Sequence, residues 1–516
     1  MNVAAVSPAG AATGEAPRAL SSVRPLIGLV GIFLAAMMAG LNTRVGALAL
    51  ADVRGALGLG FDDGSWLTTA YSAGELIAMP FSAWFALTLS LRRFELWMLT
   101  ACTLLALLLP FIHNLELLLA LRFAQGIASG TTIPLLMMAA LKFLPPAIRL
   151  YGLALYAMTA TFAPNLSIWL AGTWTDGLHD WRWVYWQIIP PGPHRRRLDR
   201  LGTAPGAHPD PSLSPSQLAR HGLRRTGVGP GHRRTGPGRA TGLVSPLITA
   251  SLVMGLTLMA VYLLTEWYHP SPFIKLQILG RRNLGLGCTL FLSLLVVLLS
   301  SSLLPASYLG PLQNYRPLQM ASIGLIVALP QLVLGPVVAL LLYRKWVDAR
   351  IVFALGLLLI ALACLCGAQL TADWHRDQFV LAQTLQAFGQ PMAVVSMLFL
   401  ITSVVQPPEG PYVSGTINTL RAFGSLFGAA VIGQLMTLRG RFHGDMLLDH
   451  AALASNALAV PEPSALMGIV SQQALVLSIA DAYRVLGVLA LLMIPLVLRL
   501  TYIPAPVLTP PSPSHG

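Results

Sequence analysis

Three ionisable residues in the N-terminal half, Arg44, Glu75 and Arg122, lie inside long apolar stretches. Charge at membrane depth is costly, so such groups usually face a cavity or a partner. Counted at about 1.5 Å per residue, Glu75 lies about 15 Å, Arg122 about 10 Å and Arg44 about 9 Å from the outer ends of their stretches. All three can therefore share one cavity. A carboxyl group there can bind and release a proton, because removal from water favours its neutral form and a nearby guanidinium its charged form. The competing reading of Glu75 is a static buried ion pair that fixes helix packing. Arg44, nearer the interface, can instead snorkel to water. In the C-terminal half only Arg421 is similarly deep, and with Asn418 it is expected to line the cavity. Gln383, Gln386 and Gln390 share a helix face, as polar lining or as helix-to-helix hydrogen bonds.

The stretches that must carry these residues dominate the chain. Of 516 residues, 55% are hydrophobic and 10% charged, with a mean hydropathy of +0.68. Soluble domains carry about 25% charged residues, so a water-soluble enzyme is excluded. Recurrent apolar runs long enough to cross hydrocarbon as helices define an all-α polytopic membrane protein. Twelve spans are expected, at 26–50, 65–89, 94–112, 115–140, 150–174, 244–266, 284–310, 319–342, 350–369, 378–404, 413–437 and 483–503. Pro80, Pro134, Pro164, Pro330, Pro336 and Pro391 fall inside spans, where they suit bends or close crossings. The four cysteines fall in apolar runs without metal-ligand spacing. No Walker loop or nucleophile elbow is present. The sequence thus calls for no enzyme activity, cofactor or metal.

Loop charge gives an orientation, because Lys and Arg near span ends are retained in the cytoplasm. With residues 1–25 as a cytoplasmic tail, Arg92, Arg93, Lys142 and Arg149 fall inside, and the acidic loop 175–180 falls outside. Lys275, Arg281, Arg282, Arg344, Lys345 and Arg350 share one side with one another. For that side to be the cytoplasm, the stretch 175–243 must cross the membrane an even number of times. The tail 504–516 then also ends inside.

Residues 191–243 contradict this. They hold ten Arg against two Asp, with eight Pro, ten Gly, no aromatic residue and a single Val. Their net +8 is most of the chain's +13, and such a composition cannot bury enough apolar surface to fold. Three readings compete: a disordered basic loop, a patch for nucleic acid or anionic lipid, and text translated out of frame. The patch lacks interleaved aromatics and faces the wrong side, so no nucleic-acid partner is expected. A shifted frame fits best, because membrane-like text stops and resumes abruptly and Trp183–Pro190 looks like a helix that has barely begun. On that reading the product is either a disrupted, non-functional chain or a transporter missing two helices. The rest divides into an N-terminal bundle, 26–190, and the remaining spans, 244–503, with a long outer loop, 438–482.

The text resembles a known family. Ser65-Trp66-Leu67-Thr68-Thr69-Ala70-Tyr71 with Glu75 and Pro80, Arg122-x-x-Gln125-Gly126 with Gly130 and Pro134, and Trp181-Arg182-Trp183 are together similar to the major facilitator superfamily. The pattern is closest to its fourteen-span drug:proton antiporters of the EmrB/QacA type. The resemblance implies that superfamily's fold, with fourteen spans where this chain writes twelve, and two helices in place of 191–243. It also implies export of amphipathic organic compounds from a bacterial inner membrane against inward proton flow. A periplasmic adaptor and outer-membrane channel are implied partners, besides lipid, substrate and proton. Glu75 becomes the candidate proton carrier, Arg122 its gating or coupling partner, and Gln125, Gly126 and Pro134 motif residues. Departures weaken the antiport part. The usual L-D-x-T reads Leu41-Asn42-Thr43-Arg44. The fifth-helix motif survives only around Ala163-Pro164-Asn165 and Gly172. Transport without proton coupling is the further alternative.

Overall fold

The structure, a computed structural model, describes residues 23–144, 148–188, scattered positions between 253 and 268, 276–454 and 463–506. The segment 191–243 and most of the expected span 244–266 lie outside the described residues, as do both expected tails in large part. Among the described residues every regular element is helical. The N-terminal half comprises α1 (Val23–Leu48), α2 (Leu50–Leu57), α3 (Phe61–Leu89), α4 (Leu91–Leu108), α5 (Leu115–Gly130), α6 (Thr132–Phe143), α7 (Arg149–Gly172) and α8 (Trp183–Trp186). The C-terminal part comprises α9 (Arg282–Val297), α10 (Leu299–Gln313), α11 (Pro317–Leu342), α12 (Ala349–Gly367), α13 (Val380–Thr402), α14 (Gly410–Ala454) and α15 (Pro463–Leu498). Ten helical segments among the described residues are long and apolar enough to cross a membrane. Large apolar side chains such as Trp97, Leu104, Leu107, Leu332, Val333 and Leu340 stand exposed on their outer faces, a surface matched to hydrocarbon rather than water.

Two expected spans are each broken into two helices. The span at 115–140 divides at Thr131, because Pro134 has no N–H to offer the Gly130 carbonyl and its ring crowds the preceding turn. The freed turn is recovered locally: Thr131 Oγ1 donates to the Ala128 carbonyl at 2.9 Å and Thr132 Oγ1 to Ser129 at 2.7 Å. The span at 284–310 divides at Leu298, followed by Ser300 and Ser301, which donate back to Val297 and Leu298. A larger difference concerns 438–482, expected as a loop. α14 runs on to Ala454 and α15 starts at Pro463, so most of that stretch is a pair of packed helical extensions. His443 and Arg439 of α14 meet Asp481 of α15 at 2.8 and 2.7 Å. The few polar residues there mark a seam between helices, not a turn.

The two halves interleave at two crossings. α7 packs on α11, and α14 packs on α3 and α6. At the α7–α11 crossing a Cβ on Gly172 or Gly324 would overlap the backbone of Leu318 or Asn165. At one end of the bundle Gly410 lies against Leu141, where a Cβ would sit 3.3 Å away, and Arg281 pairs with Glu409 at 2.7 Å. The basic cluster around Arg281 and that around Lys142 therefore occupy one end of the molecule.

Candidate functional site

Glu75 lies midway along α3 and is 8% exposed. Its depth depends on glycine in the facing helix. A Cβ on Gly126 would overlap the Tyr71 carbonyl, and one on Gly130 would lie 2.6 Å from the Glu75 carbonyl; Gly74 meets Phe123 in the same way. α3 and α5 can touch backbone to backbone only because these three positions have no side chain.

Around that crossing sits a buried polar group. Thr43 Oγ1 of α1 donates to a Glu75 carboxylate oxygen at 3.2 Å. Asn42 Nδ2 donates to the Tyr71 hydroxyl at 3.2 Å, which donates to Ser129 Oγ at 2.6 Å. Arg122, 2% exposed, donates through Nη1 to Gln125 Oε1 at 2.6 Å. Its guanidinium lies over the rings of Tyr71 and Tyr185, 4.4 and 5.1 Å from their centroids, where an aromatic face offsets part of the cost of a desolvated cation. Glu75 makes no ion pair among the described residues, yet the charges of Arg421, Arg44 and Arg122 all act on it. Arg44 is half-buried and feels both Glu75 and Arg421.

Arg421 and Asn418 are buried and hydrogen-bonded across the junction of the halves. On one face of α14, Ser414 Oγ donates to the Pro134 carbonyl at 2.7 Å and Asn418 Oδ1 accepts from the Tyr156 hydroxyl at 2.9 Å. Arg421 donates to Thr159 Oγ1 at 2.6 Å and to the Thr159 carbonyl at 2.7 Å. Pro134 thus serves this seam through its carbonyl. Asn165, next to Pro164, donates back to the Thr161 carbonyl at 2.7 Å and lends its own carbonyl to the Gly324 contact. The glutamines of α13 join helices: Gln386 donates to Ser300 Oγ, Gln390 to Gln386, and Gln331 of α11 to Gln390.

Two bundles of membrane helices, crossing at α7–α11 and at α14 with α3 and α6, with buried polar groups where they meet, match known transporters. The sequence profile of the Major Facilitator Superfamily matches residues 32–192. Solved structures agree over nearly the whole chain. The human organic anion transporter MFSD10 gives a TM-score of 0.55 over 92% of this chain and 99% of that one, at 15% identity. The proton:xylose symporter XylE gives 0.54 over 94% and 98%, at 14% identity. Residues 32–192 thus carry that superfamily's sequence pattern, and the fold is that of its transporters. Among curated superfamily relatives, the multidrug export protein EmrB of Escherichia coli is 23% identical over 88% of this chain and 89% of its own. The fatty acid resistance protein FarB of Neisseria gonorrhoeae is 24% identical over 81% and 82%. Profile, relatives and fold are all those of multi-pass membrane transporters rather than of enzymes.

Sequence reasoning missed the ion cluster that joins the halves at the end opposite Lys142. Arg316, just before α11, pairs with Asp176 at 2.6 Å and with Asp52 of α2 at 2.9 Å. Asp176 also accepts from the Leu318 N–H at 3.0 Å. The hydrogen bonds that Arg316 donates to Asp176 and Asp52 favour its charged guanidinium and raise its affinity for the proton. The acidity of the 175–180 loop was legible; its partner, 140 residues away in sequence, was not.

Proposed function

We propose that the protein exports amphipathic organic compounds across a bacterial inner membrane by exchange for inward-moving protons, with Glu75 as the proton carrier. Loop charge puts the Lys142 end and both termini in the cytoplasm. The observation that carries the reading is a single carboxylate at mid-depth. It holds one hydrogen bond from Thr43 and no ion pair among the described residues, within reach of three guanidinium charges. A static structural ion pair would close on one partner. Instead this carboxylate sits where its charge can change without breaking a salt bridge. Arg122, held against Tyr71 and Gln125, is the coupling partner that keeps the surroundings of Glu75 cationic. EmrB and FarB, whose names concern multidrug export and fatty acid resistance, support export as the direction. A periplasmic adaptor would meet the helical extensions beyond residue 438, which expose Leu438, Phe442 and Met446.

The test is proton-gradient-driven efflux from reconstituted vesicles, using a gene whose reading frame through 191–243 has been confirmed by sequencing or repaired. Glu75→Gln is expected to abolish the gradient dependence while the protein still inserts. Undiminished coupling would remove Glu75 from the role. One observation favours a second reading, a disrupted product: the family profile ends at residue 192, where the Arg/Pro/Gly-rich text begins. Absence of tagged protein from membranes would mark that outcome.

A further inference from the structure

After α15 the chain turns into a short strap across the ends of two other helices. Thr501 donates from its N–H and its Oγ1 to Asn283 Oδ1, at the start of α9, at 2.9 and 2.7 Å. Arg350, in the first turn of α12, donates to the Leu500 carbonyl at 3.1 Å and lies 5.6 Å from the centroid of the Tyr502 ring. Asn283 is 3% exposed and Leu500 1%, so the strap is fixed to the bundle. It gathers three stretches that are far apart in sequence. Arg282 stands beside Asn283, Arg344, Lys345 and Trp346 lie in the turn that leads to α12, and Arg499 and Tyr502 belong to the strap itself.

The charge gathered there is one-sided. Asp348 closes on Arg350 at 2.7 Å, and Glu409 on Arg281 at 2.7 Å. Arg282, Arg344, Lys345 and Arg499 are exposed and make no ion pair among the described residues. Trp346 is 81% exposed and Tyr502 51%. Apolar surface begins directly beside these groups. Ile351, Leu355 and Leu358 stand exposed on one face of α12 just after Arg350, and Leu492 and Leu496 of α15 stand exposed just before Arg499. The two helices pack on each other. Cations and aromatic rings that pass within a turn into hydrocarbon-facing side chains match an amphipath lying in a leaflet. A soluble polyanion or an acidic peptide would match the cations and leave the apolar faces bare.

We propose that this patch is a binding site for an anionic phospholipid. Arg282, Arg344, Lys345 and Arg499 hold the phosphate, Trp346 and Tyr502 lie at the level of the headgroup, and the acyl chains run along α12 and α15. Basic loops attract anionic lipid diffusely wherever they meet a leaflet. Here the bonds of Asn283 and Arg350 to the strap fix the cations of three stretches around one place. The proposal is independent of Glu75 and of proton coupling.

The test is thermal unfolding of the full-length chain, delipidated in detergent, with dioleoylphosphatidylglycerol or dioleoylphosphatidylcholine added in mixed micelles. Phosphatidylglycerol is expected to raise Tm by several degrees over phosphatidylcholine, because a ligand of the folded state stabilises it. Lys345→Gln with Arg499→Gln removes two exposed charges from two of the stretches. It should abolish that difference and leave Tm in phosphatidylcholine unchanged. Asn283→Ala keeps every cation but frees the strap, and should shrink the difference as well. Arg92→Gln with Arg93→Gln removes the same charge from the N-terminal half and should keep the difference in full. Native mass spectrometry should find several-fold less retained phosphatidylglycerol on the Lys345 and Arg499 double variant than on the parent. Equal Tm in the two lipids overturns the proposal, and so does a full response in either patch variant. An equal loss in the Arg92 and Arg93 variant overturns it by showing diffuse attraction. If glycerol phosphate or inorganic phosphate alone raises Tm as much, the patch takes a soluble anion and the lipid assignment fails.

Discussion

Arg122 illustrates how a buried cation is held without a carboxylate of its own. Its partners are one amide oxygen and two ring faces. A hydrogen bond to a charged group contributes about 1.5–3 kcal/mol, and a desolvated cation–π contact about 2 kcal/mol. Against these stands the cost of burying the charge, so the net loss on removal is smaller than their sum. Arg122→Gln is expected to lower stability by roughly 2 kcal/mol, read as a fall in Tm in detergent. Arg122→Lys should lose part of this, since an ammonium cannot stack its plane on Tyr71 and Tyr185. An unchanged Tm in Arg122→Gln would show that the rings and Gln125 do not hold the helices through it. Asn42 teaches a similar point. An amide can donate to the Tyr71 hydroxyl, as an ionised aspartate could not, so the departure from the family's carboxylate still completes a hydrogen-bond chain.

At the scale of helices, the α3–α5 crossing governs where Glu75 sits. Gly74, Gly126 and Gly130 each admit a facing backbone that any side chain would displace. Overpacking of this kind costs about 1–3 kcal/mol and sometimes more. Gly126→Ala should therefore destabilise the protein by at least that amount and reduce coupling by moving α5 away from Glu75. Gly55→Ala on α2 is the control. Nothing lies within 4 Å of a Cβ there, so alanine should be neutral or stabilise slightly. Thermal unfolding of the two variants side by side separates them, and equal Tm values would contradict the close crossing. The long extensions of α14 and α15 follow another logic. Asp481 gathers Arg439, His443 and Arg484, so the two helices stay paired along their extensions.

Across the whole molecule, the halves are fastened at both ends by different chemistry. At the Lys142 end the described contacts across the halves are buried hydrogen bonds, of which only those of Arg421 involve a charged group. The outer clamp is ionic and half in water, with the Arg316 side chain 56% exposed. Exposed pairs contribute about 0.2–1 kcal/mol each, so Arg316→Ala should shift the balance between closed and open outer ends by only about 1 kcal/mol. That is still a several-fold change in population. Labelling of Thr175→Cys, buried beside Asp176, should rise several-fold in Arg316→Ala, and high salt should do the same to the parent protein by screening the clamp. No change under either condition would mean that the clamp does not govern opening.

Composition and periodicity alone made this a helical membrane protein, because a chain with so few charges and so many apolar runs has no soluble alternative. The motif text around Glu75, Arg122, Gln125 and Gly126 was likewise legible, since each motif lies within one or two neighbouring helices. The even number of crossings needed to keep Arg92 and Arg281 on one side was also deduced from loop charge. The structure places the clusters of Arg281 and Lys142 at one end through Glu409, Gly410 and Leu141. What sequence could not supply was rotation about helix axes and pairing across the halves. Sequence marks Arg421 as a deep charge, and only the fold sets Thr159 opposite it. The glutamines of α13 read equally as polar lining or as helix-to-helix bonds until Ser300 and Gln331 are found opposite them. Arg316 reads as one more basic loop residue until it closes on Asp52 and Asp176. These contacts join residues more than 50 apart in the chain, and only tertiary packing decides which faces meet.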